Sequence, residues 1–219
     1  MAVRIPVLLS LSFLALGSIA APDVAQGQTA AFSGDAKRGH ALSYTCNGCH
    51  AIPNYKNVYP TYSVPKLHGQ RPEYLVAALK AYKSGERSHG TMHSQASSMS
   101  EQDMADIAAW LAGPEVLTQS KSDVPAANRP KASEICLACH GTNGVGITPD
   151  YPTIAGQHKD YIERALHDYQ KGGRKNAVMG GMAATLKAED IEELAEYYSK
   201  QSPSLQAVPK KNFFFSSSN

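Results

Sequence analysis

The chain has 219 residues, of which 42% are hydrophobic and 18% are charged. This composition is ordinary for a folded soluble protein and excludes general disorder. The formal net charge of +2 does not indicate a nucleic acid or an anionic membrane as a partner. The length allows one large domain or two small ones.

Residues 1–20 are predicted to be an export signal that is not part of the fold. Arg4 gives a short positive region, and the uncharged, mostly apolar run VLLSLSFLALGSIA follows it. Ser18 and Ala20 are the small residues that a signal peptidase requires before its cleavage site. Because the apolar run is short for a membrane span, a cleaved signal is favoured over a retained anchor. Residues 21–33 are then predicted to be a flexible leader.

Residues 34–113 are predicted to form a helical domain around the motif CNGCH, which spans Cys46 to His50. A helix should precede the motif in the segment GDAKRGHALSYT. A second helix is predicted where apolar residues recur at helical spacing, and it should end at Gly85. The residues of that apolar pattern are Tyr74, Leu75, Ala78, Leu79 and Tyr82.

The last helix of this domain is predicted to begin after Ser100, in the segment EQDMADIAAWLA. Asp103 lies three residues after Ser100, which is the spacing of a capping box. Residues 114–129 have the composition of a linker. The second domain is therefore placed at residues 130–202 and a C-terminal tail at 203–219. The apolar face of the last helix consists of Met104, Ile107, Ala108 and Leu111.

The second half of the chain repeats the first half at one constant offset. The segment PKLHGQRPEYLVAALKAYKSGERSHGTM is matched by PTIAGQHKDYIERALHDYQKGGRKNAVM. The loop after the motif, Ala51–Val64 in the first copy, is three residues longer there than in the second copy. The aligned pairs include Gly69 and Gly156, Gln70 and Gln157, Tyr74 and Tyr161, Arg87 and Arg174, and Met92 and Met179.

The helical patterns also recur in the second copy. The segment RPKASEI predicts a shorter first helix, and the run Tyr161–Tyr169 predicts a middle helix that ends by Gly172. No strand pattern stands out in either copy. The sequence therefore predicts an all-α protein of two tandem domains. The last helix is predicted from the apolar residues Ile191, Leu194, Tyr197 and Tyr198.

All four cysteines lie in Cys-x-x-Cys-His motifs, CNGCH and CLACH, the attachment signature of c-type haem. Two thiols at this spacing can each add across one vinyl group of the same porphyrin, with the adjacent histidine beneath the ring. A disulfide framework or a redox dithiol does not account for the histidine, and the motifs are far apart for a zinc site. Two covalently bound haem c groups are therefore predicted, attached to Cys46, Cys49, Cys136 and Cys139.

Histidine and methionine are the predicted axial ligands of both irons. His50 and His140 come from the motifs, and Met92 and Met179 come from a segment between two helices that is expected to be a loop. A methionine sulfur opposite histidine raises the reduction potential. Met182 aligns with Gln95, which cannot replace it as a ligand, so Met182 is expected to pack beside the haem edge.

His93 is the rival ligand in the first domain, because it adjoins Met92, but its counterpart in the second copy is Gly180. The other isolated histidines lack a histidine counterpart and are expected to be surface groups or neighbours of the ligands. They are His40, His68, His89, His158 and His167.

Taken together, these motifs resemble those of cytochrome c4, with two class I cytochrome c domains in tandem, one covalent haem each. The resemblance covers roughly residues 34–202. It implies two small helical domains related by a pseudo-twofold axis, with the haem edges near each other at the interface. It also implies that the carbonyls of Pro65 and Pro152 accept hydrogen bonds from the ligand histidines, and that Arg87 and Arg174 match the family pattern.

The expected function is electron transfer, because protein ligands on both faces of each iron leave no open site for a substrate. The expected donor is a quinol-oxidising complex or a dehydrogenase, and the expected acceptor is a terminal oxidase. The predicted signal places the protein in the periplasm, either free or loosely associated with the membrane. The alternatives are an electron-accepting subunit of a flavoprotein, such as a sulfide dehydrogenase, and a dihaem enzyme.

Overall fold

The computed structural model describes Met1, residues 33–120, Pro125 and residues 128–209. The predicted export signal, most of the leader and the aromatic run Phe213–Phe215 lie outside the described residues, as does part of the linker. Within the described residues, no helix is both long enough and apolar enough to cross a membrane.

The first domain is built from five helices along the described chain. The second, α2, carries the CNGCH motif, and α4 carries Met92. The helices are α1 (Ala36–Leu42), α2 (Tyr44–His50), α3 (Pro72–Ser84), α4 (Gly90–Ser97) and α5 (Glu101–Ala112). The three helices predicted for this domain are therefore confirmed, and α4 is an addition where a loop was predicted.

The second domain repeats this order, except that a 3₁₀ helix takes the place of α1. That helix, Lys131–Ile135, is the short first helix predicted from RPKASEI. The remaining helices are α6 (Leu137–His140), α7 (Lys159–Gln170), α8 (Ala177–Ala184) and α9 (Ala188–Ser199). Only isolated bridges represent β structure among the described residues, so the all-α class is confirmed.

The predicted apolar faces form one core in each domain. In the first domain, Met104, Ile107 and Leu111 of α5 are buried against Leu75 and Leu79 of α3. In the second, Leu194 and Tyr198 of α9 are buried together with Ile162 of α7. Burying a side chain of this size contributes about 1.5–3 kcal/mol relative to leaving it exposed.

Helix α1 crosses α5 in very close contact, and polar groups fix the crossing. The buried carboxylate of Asp106 accepts a hydrogen bond from the Asp35 amide at 2.7 Å. It also pairs with the Arg38 guanidinium, which pairs with Asp103 as well. Gly39 of α1 faces the α5 backbone directly, with no side chain between the two helices.

The predicted capping box of α5 is present. The Ser100 hydroxyl accepts from the Asp103 amide at 3.1 Å, and the Asp103 carboxylate accepts from the Ser100 amide at 3.0 Å. The hydrogen bonds from Ser100, followed by the one from Arg38, lower the pKa of Asp103 from its ordinary 3.8 to about 2. The pattern S-x-x-D therefore marked the helix start correctly.

This cap makes stability depend on acidity in a defined window. Because the pKa of Asp103 is lowered in the fold, its contribution is present above pH 3.8 and is lost as the pH falls towards 2. We expect Asp103→Asn to reduce the loss of unfolding free energy between those pH values, measured by urea unfolding. Ser100→Ala should have the same effect. If the free energy of unfolding of Asp103→Asn falls with pH as steeply as that of the parent, this assignment is contradicted.

The two domains meet through backbone segments related by the same offset as the repeat. The Ser88 amide donates to the Gly173 carbonyl at 2.7 Å, and the Lys175 amide donates to the Glu86 carbonyl at 2.7 Å. Residue pairs that contact each other reciprocally are the sign of a twofold interface. The pseudo-twofold relation implied by the resemblance is therefore present at this contact.

The longer loop of the first domain, Ala51–Val64, contacts the second domain. Asp160 at the start of α7 accepts hydrogen bonds from the Ser63 amide and hydroxyl at 3.0 and 2.9 Å. The Lys56 ammonium lies 3.4 Å from the same carboxylate. This loop therefore links the two domains.

The segment after α9 returns to the first domain, which the sequence did not predict. Leu205 and Val208 are buried. The Gln206 amide donates to the His68 carbonyl at 3.0 Å, and the Val208 amide donates to the His50 carbonyl at 3.0 Å. The part of the predicted tail that the structure describes therefore packs against both domains.

Candidate haem sites

In each motif the two cysteines and the histidine share one helical turn. Cys46, Cys49 and His50 belong to α2. In the second motif His140 closes the short helix α6, with Cys139 directly before it. Residues at positions i, i+3 and i+4 of a helix lie on one face, so two thiols and an imidazole point to the same side.

Each motif histidine is oriented by a proline carbonyl, as the resemblance implied. His50 Nδ1 lies 2.9 Å from the Pro65 carbonyl oxygen, and His140 Nδ1 lies 2.8 Å from that of Pro152. A carbonyl at Nδ1 fixes the tautomer and leaves Nε2 available for a metal. Burial lowers the pKa of both histidines, and the proline bonds offset part of that effect. Both imidazoles are therefore held neutral, the form that binds iron.

The first motif opens into an apolar cleft bounded by α2, α3 and α4. The empty space in this cleft is about 1150 Å³, including space open to solvent. Met92 lies on its wall together with Met99. The cleft is also lined by Leu67, Leu75, Leu79, Ile107 and Leu111.

The second motif opens into a similar cleft of about 1710 Å³, again including space open to solvent. Met179 lies on its wall, and Met182 does not. The lining also contains Ile154, Ile162, Leu166, Leu194 and Tyr198. Each motif therefore faces an apolar cavity that also has a thioether on its wall.

Both thioethers are carried by short helices, so the predicted loop is wrong. His89 Nδ1 accepts from the Met92 amide at 3.2 Å, and the Asn176 side chain accepts from the Met179 amide at 2.9 Å. These bonds cap the N-termini of α4 and α8. The two methionines are the third residues of helices that begin in the same way.

The thioether of Met182 and the imidazole of His93 lie away from the clefts. Met182 is 41% exposed and does not line the second cleft, and its packing beside the haem edge stays a prediction. The ring of His93, the rival ligand, is bound at Nδ1 to the Tyr82 carbonyl at 2.8 Å. His93 is exposed and does not line the first cleft.

Between the clefts, two guanidiniums share one tyrosine hydroxyl. Arg87 and Arg174 each donate from Nη2 to the Tyr161 hydroxyl, at 2.9 and 3.1 Å. Arg87 also stacks over the Tyr82 ring with its Cζ 4.8 Å from the centroid. Burial acts to raise the pKa of Tyr161, but the charges of Arg174 and Arg87 outweigh it and lower the pKa. Arg87 and Tyr161 line both clefts.

This arrangement fits haem groups in the two clefts. Arg87 is only 7% exposed, and its Nε is buried with no hydrogen-bond partner among the described residues. The Arg174 Nε lies 3.8 Å from the Asp168 carboxylate, whereas the buried Arg87 guanidinium is costly unless an anion meets it. Haem is an apolar ring that carries carboxylates, so it would supply both the apolar contact and the anionic partner.

Sequence reasoning aligned the arginines and tyrosines of this cluster but gave them no joint role. The signal that could have found them is their position in the repeat, where Tyr74 pairs with Tyr161 and Arg87 with Arg174. A repeat register shows which residues are equivalent. It does not show that equivalent residues from two domains meet at one hydroxyl.

Comparisons with known proteins agree with the two-domain architecture. The family model described as cytochrome c matches residues 36–113. The model described as cytochrome c oxidase, cbb3-type, subunit III matches residues 129–197. Each match contains one Cys-x-x-Cys-His motif, so the two copies are two cytochrome c domains.

Relatives that are matched over most of their own length extend the similarity over both domains. A cytochrome c4 of Pseudomonas aeruginosa is 31% identical over 179 residues, which covers 75% of this chain and 88% of the relative. A thiosulfate dehydrogenase electron acceptor of Stutzerimonas stutzeri is 27% identical, covering 80% of this chain and 85% of the relative. The crystal structure of reduced recombinant cytochrome c4 from Pseudomonas stutzeri superposes with a TM-score of 0.61 at 29% identity, covering 76% of this chain and 98% of that chain.

Each of these matches covers at least three quarters of this chain and more than four fifths of the relative. The repeat, the paired clefts and the oriented histidines account for one haem in each domain. The chain therefore belongs to the cytochrome c4 family and is an electron carrier with two covalently bound haem c groups.

Proposed function

We propose that this protein is a periplasmic relay that passes single electrons between a respiratory donor and a terminal oxidase through its two haem sites. The observation that carries the proposal is that Arg87 and Tyr161 line both clefts. One layer of side chains therefore separates the sites. The predicted export signal at residues 1–20 supports the location.

We assign covalent attachment to Cys46 and Cys49 in the first domain and to Cys136 and Cys139 in the second. The proposed axial ligands are His50 with Met92, and His140 with Met179. Among the described residues, Met179 is the sole methionine on the wall of the second cleft, and the repeat register then selects Met92. Met99 also lines the first cleft, but its counterpart Leu186 has no atom that binds iron.

When bound, haem supplies a one-electron iron couple, and the protein residues set the conditions for it. Apolar side chains exclude water from the clefts, which limits solvent reorganisation and favours the less charged ferrous state. Pro65 and Pro152 orient the two imidazoles. Arg87 and Arg174 place positive charge between the clefts, where it stabilises added electrons.

The proposal also names the electron donor and the electron acceptor. A quinol-oxidising complex or a dehydrogenase is the proposed donor, with a terminal oxidase as acceptor. A second candidate is electron acceptor for a thiosulfate dehydrogenase, because the Stutzerimonas stutzeri relative with this name covers 80% of the chain. The electron-accepting subunit of a flavoprotein stays a prediction from the sequence.

Rapid mixing of the full-length protein with defined partners tests the proposal. The purified protein should exceed the mass of its signal-cleaved polypeptide by two haems, and both should stay attached on denaturation. Reduced protein should be oxidised by oxidase-containing membranes, and oxidised protein should be reduced by membranes supplied with a quinol. Thiosulfate with a purified thiosulfate dehydrogenase should reduce it if the second candidate is right. Exchange with none of these partners would contradict the relay.

A further inference from the structure

Two buried glutamines connect the domains in a reciprocal way. Gln157 of the second domain accepts from the Lys66 amide at 3.0 Å and donates to the Lys66 carbonyl at 3.0 Å. Gln70 of the first domain accepts from the Thr153 amide at 2.9 Å and donates to the Thr153 carbonyl at 2.8 Å. Each side chain is 4% exposed. Each amide side chain therefore pairs with one residue of the opposite domain, as a strand backbone would.

The residues that they bind directly follow the prolines that orient the histidines. The carbonyl of Pro65, which accepts from His50, belongs to the same peptide group as the Lys66 amide, which donates to Gln157. In the second domain, the Pro152 carbonyl and the Thr153 amide form one peptide group in the same way. A single peptide unit thus separates each histidine from a glutamine of the other domain.

Hydrogen bonds at the two ends of one peptide group strengthen each other. An acceptor at the N–H shifts electron density towards the carbonyl oxygen, which then accepts more strongly from imidazole Nδ1. A stronger acceptor at Nδ1 raises the basicity of the imidazole towards a metal at Nε2. A more basic ligand stabilises ferric iron, so it lowers the reduction potential.

We propose that each glutamine is a positioning residue for the haem of the opposite domain. Gln157 tunes the reduction potential of the haem in the first domain, and Gln70 tunes that of the haem in the second. The inference rests on the proposed histidine ligation. The two-domain arrangement then does more than bring the haems close together, because each domain sets the basicity of the histidine ligand in the other domain. A change in the packing of the domains would alter both potentials through these two bonds.

The variant Gln157→Met in the full-length holoprotein tests which haem changes its reduction potential and whether that potential rises or falls. Methionine has a similar volume but neither accepts from the Lys66 amide nor donates to its carbonyl. We expect the ratio of reduced to oxidised first haem, at a fixed applied potential, to rise about 1.1- to twofold, since polarisation of about 10–30% acts on one neutral hydrogen bond of ordinary strength. Gln157 also lines the second cleft, so the second haem should change as well, but by less than the first. Gln70→Met should give the mirrored result.

The haems can be followed separately by NMR during a redox titration. Met92→His and Met179→His variants assign the signals, because each alters one haem. The ring Nδ1–H proton of His50, observed in protein labelled with ¹⁵N-histidine, should move upfield in Gln157→Met, and that of His140 should not. This proton reports the hydrogen bond itself, which a general loosening of the structure would not change in one histidine alone.

Several outcomes would overturn the inference. A larger change in the second haem than in the first, in Gln157→Met, would do so, and so would a fall in the ratio for both haems. The latter indicates an opened interface, since water favours ferric iron. If Gln157→Met fails to fold, Gln157→Glu retains a stronger acceptor and should move the His50 Nδ1–H signal downfield, whereas no movement rejects tuning. Absence of histidine–methionine signals from the unaltered protein would instead reject the proposed ligation.

Discussion

Replacing Met179 by alanine is expected to open the iron of the second domain. Alanine cannot bind iron, so the weak absorption band of ferric methionine–histidine haem, near the red end of the visible spectrum, should lose one haem's contribution. The ferrous iron should then bind carbon monoxide, and its reduction potential should fall because thioether ligation raises it. Optical redox titration with and without carbon monoxide measures all three effects.

Met182→Ala is the matched control, since it removes a thioether three positions away on the same short helix. Met182 is 41% exposed and does not line the cleft. The band and the closed iron should therefore persist, and the stability should change by about 0.5 kcal/mol or less. The reverse pattern, with an open iron in Met182→Ala alone, would contradict the repeat register and with it the assignment of Met92.

Gly39→Ala is expected to destabilise the first domain strongly. A Cβ at this position would lie 1.8 Å from the Asp106 carbonyl oxygen and 2.4 Å from its carbonyl carbon. Both atoms belong to the α5 backbone, which cannot move aside as a side chain can. Inserting even one methyl group into a closely packed contact costs about 1–3 kcal/mol, and separating two helices should reach the upper part of that range. Urea unfolding of the holoprotein measures the cost.

Gly48→Ala provides the control in the same domain. Gly48 lies within α2, and nothing is within 4 Å of a Cβ built there. Since alanine favours a helix over glycine by about 1 kcal/mol, this variant should be as stable as the parent or slightly more stable. Equal unfolding midpoints for the Gly39 and Gly48 variants would show that the crossing of α1 and α5 is not as close as described.

Local chemistry was sufficient to predict the haem attachment motifs and most of the helices, but not α4 and α8. Cys-x-x-Cys-His places its three reactive groups on one helical turn, wherever the helix lies in the fold. The capping box at Ser100 and the left-handed glycine Gly85 at the end of α3 act within a few residues of their own positions. Such signals depend on backbone geometry alone, so they can be read from a sequence.

The alignment of the two repeats also predicted the proposed methionine ligands. Met92 and Met179 are separated in sequence from their histidines, yet their equivalence in the two copies selected them over Met182 and His93. The register compares two copies, and it therefore filters out residues that occur in only one. It could not predict that α4 and α8 are helices, because the glycine-rich segment of the second copy has a weak helical signal of its own.

The sequence by itself thus determined two domains, two haem attachment motifs and a ligand candidate for each face of each iron. The tertiary structure alone decided that Gln157 and Gln70 cross between the domains, that Tyr161 bridges two guanidiniums, and that the segment around Leu205 returns to the first domain. These contacts join residues far apart in the chain. They depend on the relative orientation of two folded bodies, which a periodicity of two or 3.6 residues does not encode.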